Sequence, residues 1–228
     1  MIRTALSSAW RAWTGNWLLL LAIIAVTYWP LDMLQSYIEY HWLDPDDLRR
    51  SFKLTKFIDQ CFLIIPDAAI YYIGLLWLTN RKCSFGEALG AGFRNYGRMW
   101  VTRFLTYLSF LTLLLLILPG VYLLTRWSVS EVCAVAERRM GTGAFGCSWR
   151  RTEGRVWTIL GALTVGILMF LAVALVPMCV SLFLPDLWWI DALASMAISL
   201  VTPLWLLYEV GIYAQLSEPK GPAAGTIW

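Results

Sequence analysis

The sequence predicts an all-α integral membrane protein with six transmembrane helices, arranged as three helical hairpins. The first observation is composition: 59% of the 228 residues are hydrophobic, only 14% are charged, and the mean hydropathy is +0.63. A soluble domain normally has about a quarter charged residues. The excess apolar surface therefore needs a lipid environment. The other two observations are a series of long apolar segments and an internal repeat.

Five apolar segments are long enough to cross a bilayer, and they begin near Trp17, Phe57, Trp100, Val156 and Trp188. Each supplies the roughly 20 residues that a spanning helix requires. The first segment is too long for a secretory signal and lacks a small-x-small cleavage pattern. We therefore interpret it as a retained transmembrane helix.

A sixth helix follows from the Pro119-Gly120 pair, which divides an apolar stretch that continues to Ala136. Proline and glycine favour a turn, so the pair predicts the tip of a tight hairpin. The alternative, one kinked helix of about 37 residues, is too long for a single crossing of about 30 Å. The expected domain is 1–216, followed by a flexible cytoplasmic tail at 217–228, and its spans are about 17–38, 57–79, 100–118, 121–137, 156–184 and 188–215.

The distribution of basic residues predicts the orientation in the membrane. With the N-terminus inside, the inner segments carry 13 of the 18 Lys and Arg residues, including Arg103. The outer loop holds four more, which acidic residues balance: Arg49, Arg50, Lys53 and Lys56. The positive-inside rule then places both termini in the cytoplasm and the protein in the cell (inner) membrane.

The segments before the odd-numbered spans resemble one another. Residues 84–100 align with residues 141–157 after a shift of 57 positions, and residues 8–17 form a weaker third copy. The copy at 84–100 begins with a capping box, Ser84 and Glu87, and has an aromatic face. We expect interfacial helices whose arginines meet lipid phosphates, namely Arg94, Arg98, Arg150, Arg151 and Arg155; helices packed on the bundle are the alternative.

Four charged residues lie near a common depth within the predicted spans: Asp32, Asp67, Arg126 and Glu131. Charge in the hydrocarbon region is costly, so these groups should face inward and interact. Three carboxylates against one guanidinium leave an excess of acid. One interpretation is a polar ligand cavity that opens toward the outer leaflet. The other is a buried arginine–carboxylate clasp that fixes helix packing.

The sequence lacks the common catalytic and metal-binding motifs. It has one histidine and five cysteines without paired spacing, so we expect no metal site, no disulfide framework and no cofactor, with the cysteines acting as small apolar side chains. Because basic residues alternate with aromatics beside membrane spans, phospholipid is a better candidate partner than nucleic acid.

The motif Leu118-Pro-Gly-Val-Tyr122, followed by Arg126-Trp127-Ser128, resembles the signature of the glycerophosphoryl diester phosphodiesterase membrane-domain family. The segment 144–154 resembles that family's linker before its fifth helix. The resemblance implies a bacterial or archaeal polytopic membrane domain. It does not imply hydrolysis, because the family's catalytic domain is not in this sequence. Glu131 departs from the family pattern, which has an apolar residue there, and pairing with Arg126 is one expectation for it.

Three classes of function fit these features. The preferred one is a non-enzymatic membrane module that binds lipid or a small polar ligand, or that anchors a protein partner at its cytoplasmic face. In it, Arg126 contacts an anionic group while Asp32 and Asp67 orient the guanidinium. The second is a secondary transporter that uses Asp67 and Glu131 as titrating groups. The third is a lipid-modifying enzyme that relies on carboxylates alone; neither ligand nor oligomeric state follows from the sequence.

Overall fold

The computed structural model describes residues 1–42, 54, 57–58, 60–115, 117–181, 183 and 187–217, with backbone only at 108–115, 117–118, 178 and 181. Every regular element within these residues is a helix, so the predicted all-α class is confirmed. The predicted tail from residue 218 onward and the basic residues of the outer loop lie outside the described residues.

The described helices fall into an N-terminal and a C-terminal series. The first series is α1 Ile2–Gly15, α2 Trp17–Ile23, α3 Trp29–Trp42, α4 Ile64–Leu78, α5 Phe85–Leu115, α6 Ile117–Trp127 and α7 Ser130–Ala136. The second series is α8 Thr142–Arg151, α9 Val156–Ser181, α10 Trp188–Ser199 and α11 Thr202–Ser217. A single π-helical turn, Ile24–Tyr28, joins α2 to α3.

Three helices among the described residues are long and apolar enough to cross a membrane: Trp17–Trp42, Val156–Pro177 and Trp188–Ser217. These helices indicate a membrane protein. The apolar helix α4 has 15 residues, about 22 Å at 1.5 Å of rise per residue. It is therefore shorter than the roughly 30 Å hydrocarbon core, and the arrangement with six spans stays a prediction.

Helix α5 differs from the predicted boundaries. The amphipathic segment 84–100 and the expected span 100–118 form one 31-residue helix, because no proline or turn sequence separates them. The predicted capping box is confirmed, since Ser84 Oγ accepts from the Glu87 backbone amide (3.3 Å) and the Glu87 carboxylate accepts from the Ser84 amide (3.2 Å). Arg103, which the count of basic residues placed at the inner end of the predicted span 100–118, thus lies well inside a helix.

The Pro119-Gly120 pair lies inside a helix and does not form the predicted turn. Helix α5 ends at Leu115 and α6 begins at Ile117, so Pro119 and Gly120 lie in the first turn of α6. Proline is tolerated there because its missing N–H would have no partner in the helix. Helix α5 packs against both α6 and α7. The chain that follows α5 therefore runs back alongside it.

Helices α4 and α11 form the centre of the packing. Most side chains of α4 are buried by the chain itself, and α11 packs on α4 where Gly74 allows Leu207 and Val210 to approach closely. Helix α1 lies on α11 where Gly211 faces Ala5, since a Cβ at position 211 would come within 2.9 Å of the Ala5 carbonyl oxygen. A small-residue stripe of this kind lets helices pack closely without a hydrophobic driving force, as in membranes.

Helix α9 lies at the opposite extreme of exposure. Large apolar side chains project from it along its length, including Trp157 (83% exposed), Leu168 (61%) and Val176 (62%). Such a helix would be unfavourable in water and is typical of a lipid-facing position. The exposed faces therefore agree with the membrane character predicted from composition.

Candidate functional site

The buried polar centre of the molecule is built around Arg103 of α5. Its Nε donates to Glu131 Oε1 at 3.0 Å, and its Nη2 lies 2.7 Å from Glu131 Oε2. The same Nη2 is 2.7 Å from Asp67 Oδ2 of α4. The side chains of Arg103 and Asp67 are only 11% and 9% exposed. A two-pronged arginine–carboxylate pair is among the strongest and most directional polar contacts in proteins, and this one joins three helices.

Tyr28 adds a hydrogen bond to this centre from the N-terminal part of the chain. Its hydroxyl donates to Asp67 Oδ1, and its ring is buried. Pro30 has no N–H to donate to the carbonyl four residues earlier, and the helix widens into the π-helical turn Ile24–Tyr28 just before it. Turns of this kind are frequent at functional sites. Here the turn ends at the residue that contacts Asp67.

A third carboxylate completes the cluster from α11. Glu209 accepts a hydrogen bond from the Tyr71 hydroxyl and interacts electrostatically with Glu131, Arg103 and Asp67. Three carboxylates thus surround one guanidinium. The sequence predicted this excess of acid, although it assigned Asp32 and Arg126 to the group in place of Glu209 and Arg103.

Arg126 lies apart from the carboxylates. It is 4% exposed, and its guanidinium carbon is 4.1 Å from the centre of the Trp149 ring and 5.9 Å from that of Tyr122. Its Nε has no hydrogen-bond partner, and within the described part of the chain no carboxylate forms an ion pair with it. The expected pairing with Glu131, Asp67 and Asp32 is therefore not found.

The backbone of Arg126 is fixed by α8. Its carbonyl accepts from Ser148 Oγ at 2.8 Å and from Thr152 Oγ1 at 3.3 Å. In the topology predicted from the sequence α8 lies at the inner surface, and with that topology these contacts would bring Arg126 close to the inner side rather than to the outer leaflet. Both flanking rings are partly exposed, Tyr122 by 45% and Trp149 by 37%. An anionic group outside the bundle could reach the guanidinium between them.

Asp32 belongs to a different contact. Its Oδ2 accepts from Ser199 Oγ at 2.6 Å, which joins α3 to α10. It takes no part in orienting Arg126. Of the four charged residues that the sequence grouped, the structure brings together only Asp67 and Glu131.

The five arginines expected at lipid phosphates divide into two groups. Arg94 and Arg150 are exposed on α5 and α8. The other three contact protein groups: Arg98 donates to Asn95 (2.9 Å), Arg155 to the Gln215 carbonyl (3.2 Å), and Arg151 to Glu137 (2.6 and 3.0 Å). Arg94 and Arg150 therefore remain the better candidates for surface contacts with lipid.

A second polar cluster lies where α7 meets α8. Cys133, Cys147 and Glu137 place one ligand atom each within 4.8 Å of one another, and Cys147 Sγ donates to Glu137 Oε1 at 2.9 Å. The hydrogen bond with Cys133 lowers the pKa of the Cys147 thiol despite its burial. These two cysteines therefore make polar contacts in addition to filling apolar space.

A cavity of about 370 Å³ opens at the junction of α1 and α2. Its lining combines two tryptophans with polar and basic side chains, namely Asn16, Trp17, Trp77, Asn80, Arg81 and Lys82. Gly15 permits the close approach of Trp77, since a Cβ there would lie 2.6 Å from the ring. The cavity is separate from Arg126. Its charged lining residues, Arg81 and Lys82, are cations as Arg126 is.

Sequence reasoning missed the central cation, Arg103, because it was counted with the inner segments, at the inner end of the predicted span 100–118. The i, i+4 spacing of Cys133 and Glu137 was the available signal for the second cluster, since such residues share a helix face. The partner residues Tyr28 and Tyr71 left no signal, because an aromatic residue in an apolar helix is equally typical of a packed core.

Comparison of the chain with protein-family models, with curated proteins and with solved structures finds no match.

Proposed function

We propose that this chain is a non-enzymatic, multi-pass protein of a bacterial inner membrane that binds an anionic group, such as a phospholipid headgroup, at Arg126. The observation that carries the proposal is a buried guanidinium held against aromatic rings with no acidic partner in the described part of the chain. A buried charge is costly unless it is paired. A phosphate or carboxylate oxygen would supply that partner.

The surroundings of Arg126 suit an amphiphilic ligand. Tyr122 and Trp149 are partly exposed and flank the guanidinium, and such rings prefer the headgroup layer of a bilayer. Arginine also binds phosphate with several donors at once. The resemblance of residues 118–128 to a membrane-domain family also supports a role within the membrane.

The proposed topology has six spans, both termini in the cytoplasm and three hairpins, each preceded by an interfacial segment. In this arrangement α4, the second half of α5 and the pair α6–α7 complete the bundle around the three long apolar helices. Cysteine accessibility on the two sides of the membrane tests it. Single cysteines at position 3 and in the outer loop should label from opposite sides.

Native mass spectrometry of the purified protein tests the proposed ligand. Wild type should retain an anionic adduct that is absent from Arg126→Ala and reduced in Arg126→Lys, which keeps the charge but loses the guanidinium fork. Arg11→Ala, which removes an exposed arginine of α1, is the matched control and should retain the adduct. Equal adducts in all variants would contradict the proposal and direct attention to protein partners at the cytoplasmic face.

A transporter is the second candidate, and the cluster of Asp67, Glu131 and Glu209 around Arg103 favours it. Buried carboxylates in excess over cations are typical of proton or cation pathways in membranes. Proton flux into liposomes, followed with a trapped pH-sensitive dye, should then exceed that of protein-free vesicles and fall in Glu209→Gln. Flux equal to the protein-free background would count against this function.

A further inference from the structure

The cluster at the junction of α7 and α8 contains two thiols and a carboxylate from separate parts of the chain. Cys133 lies in the middle of α7 and Glu137 is the residue that caps it, four positions later, so both point to the same side. Cys147 comes from α8. All three ligand atoms lie within 4.8 Å of one another. A metal ion bonded to all of them would need only a small contraction or rotation of these side chains.

The types of ligand select the kind of metal. Calcium and magnesium prefer sets of oxygen ligands, whereas two thiolates with a carboxylate suit a borderline-soft ion. Zinc takes thiolate sulfur at about 2.3 Å and carboxylate oxygen at about 2.0–2.2 Å, in tetrahedral geometry. Three protein ligands leave a fourth position for water. Zinc binding would release the two thiol protons to solvent, including the proton that now joins Cys147 to Glu137.

The surrounding charges fit such a site. Two thiolates, one carboxylate and Zn²⁺ together carry one net negative charge. Arg151 Nη2 lies 2.6 Å from Glu137 Oε1, and Arg139 Nε lies 3.0 Å from Glu137 Oε2. These arginines would offset the remaining charge and orient the carboxylate, as outer-shell groups commonly do for metal ligands.

We propose that Cys133, Cys147 and Glu137 bind a zinc ion that fastens α8 to the end of α7. Both cysteines are almost fully buried, at 0% and 2% exposed, whereas Glu137 is half-buried and gives the ion a route of entry. Helix α8 also carries the Ser148 hydroxyl and the Trp149 ring that contact Arg126. The metal would therefore hold in place one wall of the Arg126 site without touching its ligand.

The first test measures metal in the full chain, purified in detergent without chelator. Elemental mass spectrometry should find about one zinc per chain in wild type and a loss of at least tenfold in Cys133→Ser and Cys147→Ser. Cys83→Ser is the matched control and should retain the metal. Cys83 lies between α4 and α5, outside the cluster, and its Sγ donates to the Ser84 carbonyl at 3.4 Å.

The second test uses wild type alone, so that it does not depend on the folding of a variant. Cobalt(II) added to the metal-free protein should give the near-ultraviolet charge-transfer band of thiolate-bound cobalt, and zinc should abolish it. Absence of that band, together with zinc no higher than in the Cys133→Ser, Cys147→Ser double variant, would overturn the proposal. An intact mass that shows a Cys133–Cys147 disulfide and no metal would overturn it equally.

Discussion

Arg103 and Arg126 are both largely buried arginines, and both lie on the α5–α7 part of the chain, yet their surroundings are opposite. Arg103 meets two carboxylates at 2.7 Å. Arg126 meets two aromatic rings, and its Nε has no hydrogen-bond partner. The arginine–carboxylate clasp that the sequence considered for Arg126 is formed by Arg103, whereas ligand binding at Arg126 stays a proposal.

The comparison shows that a short spacing along the chain does not by itself make two charged residues partners. Arg126 and Glu131 are five residues apart, which corresponds to about 140° around an ideal helix. The end of α6 at Trp127 and the start of α7 at Ser130 separate them further. Glu131 therefore turns toward α5, where Arg103 is available, while Arg126 turns toward α8.

The largest expected effect is the difference in stability between Arg103→Ala and Arg126→Ala. Removal of Arg103 leaves Asp67 and Glu131 buried without a counter-charge, and we expect a loss of about 3–5 kcal/mol in the free energy of unfolding. Removal of Arg126 loses stacking on Trp149, which contributes about 0.5–2 kcal/mol. Thermal unfolding in detergent, followed by circular dichroism, measures both. Equal losses would show that the two arginines have the same structural role.

A double-mutant cycle sharpens the same comparison. Arg103→Gln combined with Glu131→Gln should give a coupling free energy of about 1–3 kcal/mol, because the two side chains are in direct contact. The matched cycle, Arg126→Gln with Glu131→Gln, should be additive within about 0.5 kcal/mol. Unfolding of the single and double variants under identical detergent conditions supplies the values. A strong coupling in the second cycle would restore the pairing that the sequence suggested.

The smallest effect concerns the backbone of Arg126. Ser148→Ala removes the hydroxyl that donates to the Arg126 carbonyl and should cost about 0.5–1.5 kcal/mol. Thr164→Ala, on the exposed face of α9, removes a hydroxyl that donates to Leu160 within one helix and is the control. Unfolding midpoints of both variants, relative to wild type, measure the difference. A larger loss for Thr164→Ala would mean that the contact with α8 does not hold Arg126.

Several features followed from the sequence because they are local. The helical class follows from long apolar segments, and the start of α5 follows from the capping box of Ser84 and Glu87, whose atoms are three residues apart. The π-helical turn before Pro30 also has a local cause, the missing N–H. The excess of carboxylates over buried cations was likewise countable from the sequence.

The choice of partners was decided by tertiary structure. Arg103 pairs with Asp67, 36 positions earlier, and with Glu131, 28 positions later, and Asp32 pairs with Ser199 at the far end of the chain. Cys133 and Cys147 meet only because α8 packs against α7. The sequence by itself determined the helical class and the need of buried charged groups for partners. The packing of those helices decided which charges meet. The direction of a side chain depends on its position around its own helix, whereas the residue that it contacts depends on how whole helices are arranged.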